Sequence, residues 1–333
     1  MNSLRRSCFV TKSLKSKLGS KKRIDNMIRN TFFTIADKFW QNTKKSDDKR
    51  IATLTEPEGI KRICDLAYID DGDKYHMLDV YYPENVNEKM PVIIDIHGGG
   101  WMYGDKELNK IYCLNLAKRG FVVFNISYRL VPTVTVNEQL QDCAKALKWI
   151  SEHMNEYPCD SDNIMLTGDS AGGHLAAFSA VLMTNSELRE IFDVVDCNMN
   201  LTALTLTSPV ADMNPGGPLG IYTTAMWGED YKQKPTYPYM NFSDIMDMGQ
   251  LPPTCLITSS GDFIAIKQTR HFAKLMKAKN IPSKLLDFDK FEGENLPHVF
   301  SVILPESKAG KIAIDTVIRY YNDCISAKQT ITK

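Results

Sequence analysis

The chain has 333 residues, of which 43% are hydrophobic, enough to fill a sizeable core, and this excludes a chain that is disordered throughout. Its 40 lysines and arginines balance 40 aspartates and glutamates, and a net charge of zero excludes a general polyanion binder such as a nucleic-acid protein, which needs a basic surface. The balance is uneven along the chain: residues 1–50 hold 14 basic and 4 acidic side chains, so they carry +10 and the body carries −10.

Residues 1–55 read as a basic segment of their own. Leu4 to Ser20 interleaves Lys, Arg and Ser with isolated apolar residues. A secretory signal would need an apolar stretch of roughly 7–15 residues there, and no run approaches the roughly 18 apolar residues of a membrane span. The expected location is the cytoplasm. Ile24, Met27, Ile28, Phe32, Ile35 and Phe39 recur at helical spacing, with Lys and Arg on the other face. Three roles are open to this amphipathic helix: packing on the protein's own body, weak association with a membrane surface, or covering the functional site as a cap element. The eight cysteines are scattered singly without a CxxC pair, so they are expected to be reduced and mostly buried.

From residue 56 to the end, strands and helices alternate. Short apolar runs occur at Met77 to Tyr82, Pro91 to Ile96, Phe121 to Ile126, Asn163 to Leu166, Leu201 to Thr207, Thr254 to Thr258 and Ser283 to Phe288. Leu140, Cys143, Ala144, Leu147, Ile150 and Met154 share one helical face, and Gln268 to Lys279 repeats the pattern with Phe272, Leu275 and Met276. This alternation predicts an α/β fold with a mostly parallel sheet covered on both faces. One interval, about 211–250, breaks the rhythm. It is rich in proline and glycine, with Pro215, Pro218, Pro235 and Pro238, and it carries the aromatics Tyr222, Trp227, Tyr231, Tyr237, Tyr239 and Phe242. A long irregular insertion of this kind is expected to be a cap or lid facing substrate.

The apolar strand Asn163 to Leu166 runs into Thr167-Gly168-Asp169-Ser170-Ala171-Gly172-Gly173, followed by a helical run from His174 into Leu182. A G-x-S-x-G between strand and helix is a nucleophile elbow, a sharp turn that presents the Ser170 hydroxyl at the carboxyl end of the sheet. The helix behind it points its first N–H groups at the same spot, which favours developing negative charge. Immediately after the strand Pro91 to Ile96 stand His97-Gly98-Gly99-Gly100-Trp101. Successive glycines leave backbone N–H groups open to a tetrahedral oxyanion. No P-loop or dinucleotide-binding glycine motif is present to give either cluster another purpose.

HGGGW at 97–101, Tyr128-Arg129-Leu130 with Pro132, and GDSAGG at 168–173 together resemble the hormone-sensitive-lipase-like branch of the α/β-hydrolases, above all its bacterial carboxylesterases and acetylesterases. The resemblance covers roughly residues 62–325. It implies an α/β-hydrolase fold with a small cap, and N-terminal helices of that branch often join the cap over the site. The remaining triad partners should follow Ser170 in the order acid, then His. Asp262 lies in Ser259-Ser260-Gly261-Asp262-Phe263 after the strand Thr254 to Thr258, where members of the branch carry their acid; Asp287 and Asp289 belong to the next strand and its exit. Among six histidines, His76 and His97 precede the nucleophile, His153 and His271 sit in helical patterns, and His174 follows Ser170 by one turn, which leaves His298.

The expected chemistry is ester hydrolysis through an acyl-enzyme, with Ser170 as nucleophile, His298 as base and Asp262 orienting the ring. Gly98, Gly99, Gly100 and Ala171 are expected to supply the oxyanion donors. His97, Trp101, Asp169 and Trp227 are placed at the substrate pocket, with His97 also steadying the glycine loop. No metal or organic cofactor is called for, and the expected partner is a small-molecule ester. Family resemblance points to short-chain acyl or aryl esters. Two alternatives stand beside it: a small-amide hydrolase of the aryl formamidase kind, and a catalytically silent ligand-binding relative. Nothing in the sequence speaks to the oligomeric state.

Overall fold

A computed structural model of the chain describes residues 33–213, 220–289, 291 and 293–331. The chain divides between Ala52 and Thr53 into two units. In the first, helix α1 spans 33–51 and includes Ile35 and Phe39; Ile24, Met27, Ile28 and Phe32 lie outside the described residues. Pairs one turn apart run along α1: Gln41 donates to Asp37 at 2.9 Å, and Lys44 pairs with Asp48 at 2.7 Å.

The second unit is built on strands β1 (Ile60–Ala67), β2 (Met77–Pro83), β3 (Met90–Ile96), β4 (Val122–Ile126), β5 (Cys159–Asp169), β6 (Ala203–Thr207), β7 (Thr254–Ser259) and β8 (Ser283–Phe288). They form one sheet in the order β1-β2-β4-β3-β5-β6-β7-β8. The β1–β2 and β2–β4 pairs are antiparallel and the rest parallel. Every residue of β4, β6 and β7 is buried, which is why these strands read as unbroken apolar runs. β1 escaped the sequence pattern. It is an edge strand with a bulge between Ile63 and Leu66, and its four exposed residues interrupt the apolar signal.

The connecting helices are α2 (Lys110–Ala117), α3 (Val136–His153), α4 (Ser170–Leu182), α5 (Ser186–Phe192), α6 (Gly220–Trp227), α7 (Phe242–Ile245), α8 (Ile266–Ala278), α9 (Phe300–Ile303) and α10 (Lys308–Ile331). Two apolar cores lie on the two faces of the sheet. One joins Val92, Ile94 and Phe124 to Leu140 and Leu147 of α3 and to Phe178 of α4. The other joins Ile93, Val123 and Met165 to Leu116 of α2 and to Ile314 and Tyr321 of α10. α3 begins with a capping box, Thr135 accepting from the Glu138 N–H while Glu138 accepts from the Thr135 N–H, an arrangement worth about 0.5–2 kcal/mol.

Interval 211–250 joins β6 to β7. It contains α6, two 3-10 turns at Tyr231–Gln233 and Tyr237–Tyr239, and α7. Pro215 and Pro218 lie outside the described residues. Of its aromatics, Trp227 and Phe242 are buried in the α3/α4 core, Phe242 packing against Phe178 and Phe272. The described cysteines are free; five are buried, whereas Cys64 on the edge strand is exposed.

Candidate active site

Four segments leave the carboxyl ends of β3, β5, β7 and β8, and they meet above the sheet, the usual place for a site in an open parallel sheet. At the end of β5 the backbone turns from extended Asp169 (φ −119°) to Ser170 in the left-handed region (φ 51°) and directly into α4. Such a non-glycine conformation costs about 1–3 kcal/mol and persists only where the surroundings impose it. Here α4 is driven against the end of β3: a Cβ on Gly172 would collide with the carbonyl oxygens of Ile96 and His97. The Ser170 carbonyl is held from the other side by the Val210 N–H at 3.2 Å.

Ser170 Oγ lies 2.8 Å from His298 Nε2, and His298 Nδ1 lies 2.8 Å from Asp262 Oδ1. A carboxylate can only accept, so Nδ1 carries the proton and Nε2 is the acceptor for the Ser170 hydroxyl. Asp262 is fully buried. Burial pushes its pKa up, but the hydrogen bond from His298, the charge of that ring when it is protonated, the Ala265 N–H at 2.9 Å and the Ser208 hydroxyl outweigh this and hold it below the usual carboxylate range. The loop bearing His298 is fixed on both sides. Ser259 Oγ donates to the Leu296 carbonyl at 2.6 Å, and Val299, in a left-handed conformation, donates its N–H to Ser208 Oγ at 3.4 Å. Glu294, three residues before Pro297, accepts from the first N–H groups of α10 at Lys308 and Ala309.

The glycine loop after β3 turns through Gly99, Gly100 and Trp101, all at positive φ. At Gly99 a side chain is excluded twice, by its φ of 110° and by the Tyr103 carbonyl oxygen where a Cβ would stand. His97 steadies the loop from within: its Nδ1–H donates to the Gly98 carbonyl at 2.7 Å, and its ring stacks on Tyr128 at 4.4 Å. Burial pushes the His97 pKa down to about 4, so the ring is neutral. Tyr128 returns a hydrogen bond to the His97 carbonyl at 2.8 Å.

Residues 78–215 match the BD-FAE family. Esterase B of Lactobacillus rhamnosis is 31% identical to this chain and superposes with a TM-score of 0.86, over 91% of this chain and 98% of that one. The chain belongs to the hormone-sensitive-lipase-like branch of the α/β-hydrolases. Esterase B has also been solved with a tributyrin phosphonate. Among curated relatives, the isoprenylcysteine alpha-carbonyl methylesterase ICME of Arabidopsis thaliana is 30% identical over 112 residues, 34% of this chain and 26% of that protein. The versiconal hemiacetal acetate esterase of Dothistroma septosporum is 36% identical over 107 residues, 32% of either chain. The matches thus span about a quarter to a third of the length of these curated relatives.

Within this candidate site several residues stand differently from the sequence expectation. Gly98 does not offer a free donor: its N–H is given to Asp169 Oδ1 at 3.0 Å. Among the described residues Gly99 and Gly100 give their N–H groups to no backbone acceptor, and Ala171 stands in the first turn of α4, whose N–H groups have no partner within the helix. Asp169 does not face the pocket as a substrate ligand. It is buried, and its carboxylate is spent on Gly98 and on Asn109 Nδ2 at 2.7 Å. Trp101 and Trp227 are 4% and 1% exposed, and their indole N–H groups are used inside the core, toward His174 Nδ1 at 3.4 Å and Met213 Sδ at 3.3 Å. Each ring finds a partner for its indole N–H inside the core, as a buried tryptophan requires.

Sequence reasoning missed Asp95, Asn109 and Ser208. Asp95, an acid inside an otherwise apolar strand, was the one visible signal. Among the described residues no cluster of three or more His, Cys, Asp or Glu is arranged to hold a metal ion, and no helix is long and apolar enough to cross a membrane.

Proposed function

We propose that this chain is a serine carboxylesterase that hydrolyses short-chain acyl or aryl esters through an acyl-enzyme. The observation that carries the reading is His298, which lies 2.8 Å from both Ser170 Oγ and Asp262 Oδ1. His298 Nε2 takes the Ser170 proton as Oγ attacks the ester carbonyl, and the Asp262 carboxylate stabilises the imidazolium. The developing oxyanion is met by the N–H groups of Gly99, Gly100 and Ala171, the last at the start of α4, where the helix dipole adds to the attraction. His298 then returns the proton to the leaving alcohol. Water, activated by the same nitrogen, hydrolyses the acyl-enzyme.

The short-acyl preference rests on the family and on the tributyrin phosphonate solved with esterase B, whose acyl chains are of that size. The test is hydrolysis of p-nitrophenyl acetate, butyrate and longer homologues by wild type and Ser170→Ala, with the matching anilides alongside. The expected result is turnover of the short esters that falls on the order of 10⁶-fold in the alanine variant. Equal activity in the two proteins would remove Ser170 as nucleophile. Anilides cleaved faster than esters would replace the ester reading by amide hydrolysis.

A further inference from the structure

Beneath the glycine loop the sheet carries a transverse row of polar side chains that the steps above leave unused. Strand register sets Asp79 of β2 opposite Asn125 of β4, Asn125 opposite Asp95 of β3, and Asp95 opposite Thr167 of β5. Paired residues point to the same face of a sheet, and all four are buried. At the Asp79 end the charge is matched, by the Lys106 ammonium at 3.0 Å and the Tyr81 hydroxyl at 2.5 Å. At the Asp95 end it is not. Asp95 is faced by Asn109, Tyr112 and Cys113 from the α2 side, by Asn125 from β4, and by Thr167 and Asp169 from β5. None of these is a cation, and Lys106 is committed to Asp65, Asp79 and Glu107.

A single amide links the two acids. Asn109 Nδ2 donates to Asp95 Oδ2 at 2.8 Å and to Asp169 Oδ1 at 2.7 Å, so both protons of its NH₂ are used. Two buried carboxyls joined through one neutral group cannot both ionise, because each charge lacks solvent and repels the other. Burial pushes the pKa of both acids up, and Asp169 is the better placed to keep its charge, because it also receives the Gly98 N–H. Asp95 receives only Asn109 and the Cys113 thiol. The proton therefore sits on Asp95, whose pKa burial and the Asp169 charge push up to about 8.

We propose that Asp95 and Asn109 are positioning residues: a neutral Asp95 lets Asn109 hold the Asp169 carboxylate on the Gly98 N–H and so aims the oxyanion loop, and ionisation of Asp95 releases that aim. The proposal rests on the esterase reading. Once Asp95 loses its proton to solvent, its charge competes for the Asn109 N–H and repels Asp169. The grip on Gly98 loosens, and Gly99 and Gly100 with it. The active form is the protonated one, so turnover is lost as pH rises through that ionisation.

The experiment follows kcat and KM for p-nitrophenyl acetate against pH in wild type, Asp95→Asn and Asn109→Ala, together with the carbon-13 resonance of the Asp95 carboxyl in wild type. Wild-type kcat is expected to fall about tenfold per pH unit beyond the midpoint and to level off on the order of 10²-fold down, with KM steady. Asp95→Asn, which has the shape of the neutral acid and cannot ionise, is expected to lose this alkaline fall. Asn109→Ala is expected to lower kcat on the order of 10²-fold, the worth of an oxyanion donor. The carboxyl carbon is expected to titrate near 8. Superimposable pH profiles for wild type and Asp95→Asn, or an Asp95 carboxyl already ionised at neutral pH, would overturn the proposal. The resonance decides alone if Asp95→Asn does not fold. A wild type without esterase activity would count against the esterase reading, whereas the titration of Asp95 would still be read.

Discussion

Gly172 and Gly173 are neighbours in the first turn of α4, and replacing each by alanine separates helix propensity from space. Either substitution gains about 0.8–1 kcal/mol of intrinsic propensity. At Gly173 the new methyl would stand 3.1 and 3.2 Å from Pro209 Cβ and Cα and 3.3 Å from the Gly168 carbonyl oxygen, contacts that a shift of a few tenths of an ångström relieves. At Gly172 it would overlap the carbonyl oxygens of Ile96 and His97 and stand 2.6 Å from the His97 carbonyl carbon, all backbone. Relief there requires α4 to retreat from β3 by about 1 Å, a misplacement that costs on the order of 10²-fold in rate when it reaches reacting groups. That retreat would carry Ser170 away from His298 and the Ala171 N–H away from the oxyanion. Overpacking costs about 1–3 kcal/mol, so after the propensity gain the expected net change for Gly172→Ala is a loss of about 0–2 kcal/mol, up to a few degrees in Tm. The assay pairs kcat/KM on p-nitrophenyl acetate with thermal unfolding. Gly173→Ala should stay within a fewfold of wild type and melt no lower. Equal behaviour of the two variants would refute the claim that backbone contact between α4 and β3 holds the elbow in place.

Three further outcomes follow from buried charges. Asp262→Asn replaces a carboxylate that can only accept by an amide whose NH₂ can donate to His298 Nδ1, and kcat should fall about 10⁴-fold through the wrong tautomer; a loss under tenfold would mean that another group orients the ring. Because the folded pKa of Asp262 is depressed, its stabilising contribution is present above the unfolded value and disappears as pH falls through the lower folded one. Acid unfolding of Asp262→Asn should accordingly be less steep than that of wild type. Arg129 donates to both oxygens of Asp142, which is fully buried, at 2.8 and 2.7 Å. Arg129→Ala should destabilise by about 3–5 kcal/mol by leaving that carboxylate without its cation. An unchanged Tm would show that His76, 3.4 Å from the same acid, replaces it.

The main elements and the candidate residues were legible because their signals are local. β4, β6 and β7 are apolar along their whole length, and the amphipathic periods of α3 and α8 extend over several turns. α2 gave no such signal, since six of its eight residues are buried and it lacks a polar face. Ser170 was marked by a motif in which glycines are sterically required, and Asp262 and His298 by chain order along a parallel sheet, an order that register then turns into proximity.

The sequence by itself determined the fold class, because strand periodicity leaves marks within a few neighbouring positions, and its glycine motifs marked the candidate residues and carried the resemblance that pointed to the family. Tertiary structure alone decided which backbone N–H groups stay open, since Gly98 loses its donor to Asp169, a residue 71 positions away. It also decided that Trp101 and Trp227 belong to the core, and that Asp95, Asn109 and Asp169 form one network. Those outcomes depend on which strands lie side by side and which helix covers them, and pairings of that kind across the sheet leave no period in the chain.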